Sequence, residues 1–288
     1  MAASARAVGT GERWLRCAVG PEEFARFHVP ALERNEARHN KILPVLGRMA
    51  AGQGAGVATW TLGGPGACAV RSADGVILLG DLSEDECRAL AEQTADADYR
   101  GVVGPDRTAL AFAARAGELG TAFAEQIPQR ILSLTERPPE SRVRGDARPS
   151  TAQDSDVIAA WLGAFFAEAA PHDPPPARER LAAAAATGRH ILWVVDGRPV
   201  ATAAIIRRTR NAAAISLVYT SPTERGKGYG GAVTAAVAGR AFTEGKSIAC
   251  LYTDLRNPMS NRCYARIGFR PVCDAFHVPR QTVAMPLS

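Results

Sequence analysis

The stretch Leu217-Val218-Tyr219-Thr220-Ser221-Pro222-Thr223-Glu224-Arg225-Gly226-Lys227-Gly228-Tyr229-Gly230 holds the residue types that point most directly to chemistry. A β-rich run ends at Thr220, Pro222 breaks it, and an Ala/Val pattern of helical period begins near Gly230. A loop of this kind brings several backbone N–H groups to one point at a helix N-terminus, where unpaired donors and the helix dipole favour a phosphate. Gly226, Gly228 and Gly230 permit positive φ and let an anion approach the backbone. Arg225 and Lys227 add positive charge where a pyrophosphate would sit. No Lys-Ser/Thr follows the glycines at P-loop spacing. Gly226, Gly228 and Gly231 do satisfy G-x-G-x-x-G, so a nicotinamide dinucleotide site is a competing reading. A dinucleotide fold, however, places that turn after the first strand of a βαβ unit, and here it follows an antiparallel meander far into the chain. A tight turn with no ligand is the third reading.

A second segment, Asn257-Pro258-Met259-Ser260-Asn261-Arg262-Cys263-Tyr264-Ala265-Arg266-Ile267-Gly268-Phe269, starts with a good N-cap and a proline suited to the first helical position. Asn257, Asn261 and Tyr264 fall at i, i+4 and i+7 on one helical face, with Cys263 and Ile267 forming an apolar stripe beside it. A polar stripe bordering a core stripe suits the wall of a cleft. The plainer alternative is that Tyr264 only packs against Ile267 and Phe269.

Arg225-Gly226-Lys227-Gly228-Tyr229-Gly230 resembles the R/Q-x-x-G-x-G/A motif of the GNAT superfamily of N-acetyltransferases, and the second segment is similar to that family's N-x-x-[SA]-x-x-x-Y-x-x-x-GF pattern. The resemblance covers the second half of the chain, from about Arg142. It implies acetyl-CoA as acyl-donor substrate, with no metal. Arg225 to Gly230 would hold the pyrophosphate of coenzyme A. The preceding strand, Leu217, Val218, Tyr219 and Thr220, would be bulged and would bind the pantetheine arm and thioester carbonyl through its backbone. Asn257 and Asn261 would bind the pantetheine arm, and Tyr264 would protonate the departing thiolate. A phenol of pKa about 10 can donate to a thiolate whose conjugate acid lies near 8.5–10. A neutral amine would attack the thioester directly in a ternary complex, with the oxyanion held by a backbone N–H of the Leu217–Tyr219 strand. Glu168, His172 and Asp254, in that order, are the candidates to accept the amine's proton. An acyl-CoA-binding sensor without turnover is the alternative from another class, and Tyr264 favours the enzyme because a sensor needs no leaving-group acid.

The elements that must position these residues can be read from turns and periodicity. Before the Arg137-Pro138-Pro139-Glu140-Ser141 break lie two helices within about 21–49 and strands at 56–62, 67–71 and 76–80. A helix at 83–94, a strand at 101–103, a helix at 106–118 and a strand at 130–134 follow. After the break come a strand near 142–148, a helix at 154–169 with Asp154 as N-cap, a helix at about 177–187, and strands at 190–195, 199–207 and 212–219. The chain closes with a helix at 228–243, a strand at 247–253, a helix at 258–267 and a strand at 269–273. Both halves share one order of elements. The expected fold class is therefore α/β (α+β): two GNAT-like domains in tandem, 1–138 and 139–288, each a mixed, mostly antiparallel sheet flanked by helices. In the first half the loop after the third strand reads Gly80-Asp81-Leu82-Ser83-Glu84-Asp85-Glu86. Its four acids would repel a pyrophosphate, so the first half is expected to be a degenerate copy without a coenzyme A site.

Composition narrows the rest. The 288 residues are 47% hydrophobic and 22% charged, with a net charge of +5 and no basic run. That balance suits a globular protein and argues against a nucleic-acid binder. Six scattered cysteines and five histidines lack metal-ligand spacing. With no secretory signal and no apolar run of membrane length, a cytoplasmic protein is expected. The partners implied are acetyl-CoA and an amine acceptor, most simply a small molecule. A homodimer is compatible with the sequence, while nucleic acid and membrane are not expected as partners.

Overall fold

A computed structural model of the protein describes residues 20–281 except 55, 170–176, 178, 181 and 184–186. The helix expected at about 177–187 and the candidate base His172 therefore lie largely or wholly outside the described residues. The chain divides into two compact units, and each contains segments from distant parts of the sequence. The first comprises the described residues to Asn35, Lys41–Ile127 and those from Ala275 onward; the second comprises Glu36–Asn40 and Pro128–Asp274.

In the first unit, helices α1 (Pro21–Leu32) and α2 (Leu43–Ala50) precede strands β1 (Thr59–Thr61), β2 (Cys68–Arg71) and β3 (Val76–Leu79). Helix α3 (Glu84–Gln93), strand β4 (Gly101–Pro105) and helix α4 (Thr108–Glu118) follow. Side chains alternate across the strands as the two-residue period requires. Cys68, Val70, Leu78 and Val103 pack with α1 and α2, whereas Ala69, Ile77, Leu79 and Val102 pack with α3 and α4. Strands β1 to β3 form an antiparallel meander and β3 pairs with β4 in parallel. Buried His28 ties the meander to α1: its Nδ1 accepts from the Gly66 amide at 3.1 Å and its Nε2 meets the Thr61 hydroxyl at 2.9 Å.

The second unit begins with strand β5 (Ile127–Leu134), then β6 (Asp146–Pro149), helix α5 (Ser155–Ala169), and strands β7 (His190–Val195), β8 (Arg198–Arg208) and β9 (Ala212–Thr220). Helix α6 (Tyr229–Thr243), strand β10 (Ile248–Asp254), helix α7 (Pro258–Ile267) and strand β11 (Arg270–Pro279) as far as Asp274 complete it. Strands β6 to β9 are antiparallel, β9 and β10 are parallel, and β10 is antiparallel to β5. Small residues at Ala201, Ala203, Ala213 and Ala249 let Val233, Val237 and Ala241 of α6 seat on one face, with Tyr264 and Phe269 beside them. Helix α5 covers the other face through Ile158, Ala159 and Leu162. Each fully buried valine there contributes roughly 1.5–3 kcal/mol.

This is the mixed, mostly antiparallel α/β architecture anticipated above, with two differences of detail. Asp154 does not cap α5. It sits in a short 3-10 turn whose N-cap is Thr151, and the two exchange backbone hydrogen bonds as a capping box while Arg148 grips the Asp154 carboxylate at 2.7 and 2.8 Å. The final strand runs past the expected 273 to Pro279. Its Ala275–Pro279 segment pairs with β4 in the first unit, whereas β5, the last strand before the proline-rich break, pairs with β10 in the second. The contact division therefore departs from the sequence break: each half supplies a strand to the other half's unit. Glu36 is also carried into the second unit, where its buried carboxylate accepts from the Asn211 amide at 2.8 Å, Asn211 Nδ2 at 2.6 Å, the Ala212 amide at 3.0 Å and the Thr209 hydroxyl.

Candidate acyl-donor site

The site is built where β9 and β10 part. Their parallel pairing covers Ala212–Ile215 against Ile248–Leu251 and stops there, although β9 continues to Thr220 and β10 to Asp254. On its outer edge β9 stays bound to β8 as far as Thr220↔Ala201, but the register slips between Tyr219↔Thr202 and Ser216↔Ala204. Leu217 and Val218 form the extra turn of chain, and Leu217 has φ of +57°. A β-bulge bends its strand and sharpens the twist, and a leucine at positive φ carries a strain of about 1–2 kcal/mol. The outcome is a wedge between the two strands that leaves the backbone of residues 216–220 without a ladder partner on the β10 side among the described residues.

The glycine loop closes the wide end of the wedge. After Thr220, a 3-10 turn at Pro222–Glu224 leads to Arg225, then Gly226 at φ +82° and Gly228 at φ +86°. Gly228 is the N-cap of α6 and supplies no capping side chain, so the first-turn N–H groups of the helix are left for an external acceptor. The next two glycines answer to close approach instead. A Cβ on Gly230 would lie 3.1 Å from the Thr220 hydroxyl, and one on Gly231 would lie 3.1 Å from the Cys263 sulfur of α7. Tyr229, by contrast, turns its side chain into the core.

The two basic side chains of the loop are already engaged. Arg225 Nη2 donates to Glu168 at 2.8 and 3.1 Å, its Nε donates to the Thr220 carbonyl at 3.2 Å, and its guanidinium lies over the Tyr219 ring at 5.4 Å. The hydrogen bond it donates to Glu168 raises the pKa of Arg225 above its ordinary value. Lys227 Nζ donates to Glu224 at 2.8 Å, which likewise raises its pKa.

Helix α7 forms the β10 wall. The Asn257 Oδ1 accepts from the Ser260 amide at 3.0 Å and caps the helix, leaving its Nδ2 donor out of the cap. Asn261 Nδ2 donates to the carbonyls of Asp254 and Leu255 at 3.2 and 3.3 Å, pinning the helix to the end of β10. Gly268 at φ +111° reverses the chain so that the Phe269 amide reaches the Tyr264 carbonyl at 3.1 Å, and the buried Phe269 ring meets the Tyr264 ring edge-on at 6.1 Å. Tyr264 is 8% exposed and lies in one cluster with Ile215 and Leu251, the last paired residues before the wedge. Burial pushes its pKa above the ordinary phenol value, with Cys263 adding to the shift. The group therefore stays protonated at neutral pH but is a poorer proton donor than a free phenol.

Of the other candidates, Asp254 is held by the Arg256 side chain at 3.0 Å and the Arg256 amide at 2.7 Å. Burial opposes its ionisation, yet those hydrogen bonds prevail and keep its pKa below the usual value. The structure thus places Leu217 to Thr220 and the glycine loop in sequence along the end of β9, Asn257 and Asn261 on α7 at the end of β10, and Tyr264 in the cluster beneath the last β9–β10 pairs, and it ties Glu168 to Arg225. Two features had no signal in the local sequence: the Glu168–Arg225 pair, 57 residues apart, and Thr253, whose buried Oγ1 has no hydrogen-bond partner among the described residues.

Among the described residues no group of three or more His, Cys, Asp or Glu is placed to hold a metal ion, and no helix is long and apolar enough to cross a membrane. Residues 155–269 match the model of the acetyltransferase (GNAT) family. No curated protein matches the chain. A GCN5-related N-acetyltransferase from Sphaerobacter thermophilus superposes with a TM-score of 0.58 at 17% identity, covering 91% of this chain and 96% of its own. A GNAT-family acetyltransferase from Colwellia psychrerythraea gives 0.54 at 12% identity, covering 88% and 97%. A GCN5-related N-acetyltransferase from Kribbella flavida gives 0.52 at 20% identity, covering 75% and 86%. Sequence and fold point the same way: residues 155–269 are similar to the GNAT acetyltransferase family, and the chain shares the fold of such enzymes.

Proposed function

We propose that this domain transfers the acetyl group of acetyl-CoA to a primary amine by direct attack within a ternary complex. The observation that carries the reading is the meeting of two unsatisfied sets of backbone groups. The uncapped N-terminus of α6 opens onto the same wedge as the unpaired edge of β9. A pyrophosphate suits the first and an amide-bearing pantetheine arm suits the second. The amine nitrogen would add to the thioester carbon. The developing oxyanion would take a backbone N–H of the bulge near Leu217, and the C–S bond would then break. The thiolate would receive its proton from Tyr264, while the ammonium proton would leave to Glu168 or solvent.

The first unit, on this reading, binds no coenzyme A. Strand β3 pairs with β4 through Leu78↔Val103, next to its last residue, and β3 has no register shift against β2, so no wedge opens. The N-terminus of α3 is filled from within: the Ser83 hydroxyl accepts from the Glu86 amide at 3.2 Å, and Glu86 Oε2 accepts from the Ser83 amide at 2.8 Å.

Calorimetric titration of the full chain with acetyl-CoA, NADH and NADPH tests the cofactor, and thiol release across an amine panel tests the transfer. One acetyl-CoA site per chain with thiol release is the expected result, and Tyr264→Phe should lower kcat by about 10- to 100-fold with little change in acetyl-CoA affinity. Binding of NADH without acetyl-CoA would overturn the reading. Acetyl-CoA binding with no thiol release from any amine would leave a sensor.

A further inference from the structure

The Glu168–Arg225 pair links the glycine loop to the last turn of α5, and its position is unusual for a carboxylate. A negative charge at a helix C-terminus opposes the helix dipole, and α5 has no basic residue of its own in its last turn. Arg225 supplies the missing counter-charge. Both side chains are about half exposed, Arg225 at 48% and Glu168 at 50%, so the pair is weak and readily exchanged. The other partners of Arg225 among the described residues are the Thr220 carbonyl and Tyr219, both neutral. A pyrophosphate arriving at the adjacent Gly226–Gly230 amides would offer the guanidinium a doubly charged, fork-matched acceptor in place of a single carboxylate.

We propose that acetyl-CoA binding exchanges this ion pair: Arg225 leaves Glu168 for the pyrophosphate, and Glu168 is left as an unpaired carboxylate in the last turn of α5. In the free protein Glu168 then competes with the cofactor for Arg225. The inference rests on the acetyl-CoA reading above. Its rival is a fixed clamp, in which Arg225 stays on Glu168 throughout and holds α5 in place. The two predict effects of opposite sign.

The test is calorimetric titration of the full chain with acetyl-CoA for wild type, Glu168→Gln, Arg225→Ala and the double variant. Removing the competitor should tighten binding about fivefold, and removing the guanidinium should weaken it about tenfold. In the Arg225→Ala background Glu168→Gln should change affinity less than about twofold, because no pair remains to be broken. Unchanged or weaker binding by Glu168→Gln would establish the fixed clamp. The same tightening in both backgrounds would reduce the effect to charge repulsion at a distance. Either result overturns the exchange, whereas failure of the wild type to bind acetyl-CoA would remove the underlying reading instead.

Discussion

Replacing Gly226 by alanine separates backbone strain from every other contribution at the proposed phosphate loop. Gly226 has φ of +82°, and a Cβ built there meets nothing within 4 Å, so the substitution introduces no clash. Its cost is the left-handed conformation itself, about 1–2 kcal/mol, reduced by up to about 1 kcal/mol because alanine loses less entropy on folding. A net penalty of about 1 kcal/mol can emerge in two places. If the loop keeps its shape, the melting temperature should fall by about 2–4 °C with acetyl-CoA affinity intact. If the loop relaxes, stability is spared and affinity drops by about fivefold, because the amides must be restored for the phosphate. The sum of the two losses is the predicted quantity. Calorimetric melting and titration on the same samples measure both. Gly228→Ala should lose more, since it combines φ of +86° with a Cβ only 3.3 Å from a Val143 methyl. Gly230→Ala should retain stability, because it lies in helical backbone where alanine is favoured by about 1 kcal/mol. Its new methyl, 3.1 Å from the Thr220 hydroxyl, presses on that side chain beside the proposed anion site instead. The reasoning is refuted if Gly226→Ala changes neither quantity, or if Gly230→Ala destabilises the fold more than Gly226→Ala does.

Three further outcomes are expected. Glu36→Ala removes an acceptor shared by three residues of the β8–β9 turn and should cost about 3–5 kcal/mol; a denaturant midpoint within error of wild type would contradict this. Thr253→Val replaces a buried, unpartnered hydroxyl by a methyl and should raise stability by about 1 kcal/mol, whereas a loss would reveal a partner for that hydroxyl. The third concerns acid. Burial lowers the imidazoles of His28 and His190 to about 4, below the ordinary value near 6.5. The unfolded chain therefore takes up these protons at higher pH than the folded one. Stability should be complete above about pH 6.5 and fall as pH descends toward 4, by an amount of order 3 kcal/mol per imidazole. Unfolding curves between pH 7 and 4.5 that superimpose would show that these rings are not held neutral.

Much of the second unit was legible from local sequence. Asn257-Pro258 and Gly268 bound α7 where capping chemistry requires, and Asp196-Gly197 turns β7 into β8 with both residues at positive φ, 48° and 74°. The loop glycines at 226 and 228 adopt the left-handed backbone their type permits. These features depend on φ preferences and hydrogen bonds within a few residues, so the sequence alone determines them. Tertiary structure decided what depends on partners far away. Arg130 meets Asp274 at 2.7 Å across 144 positions, and Glu36 holds Asn211 across 175. The exchange of β5 and the end of β11 between the two halves has the same origin, because two apolar strands of similar length carry no local mark of which sheet edge they will complete. The site divides along the same line. Residue types and spacing placed Arg225 in a glycine loop between β9 and α6. Only the packing of α5 against β9 brought Glu168 to it, since a carboxylate chooses its cation by proximity in the fold.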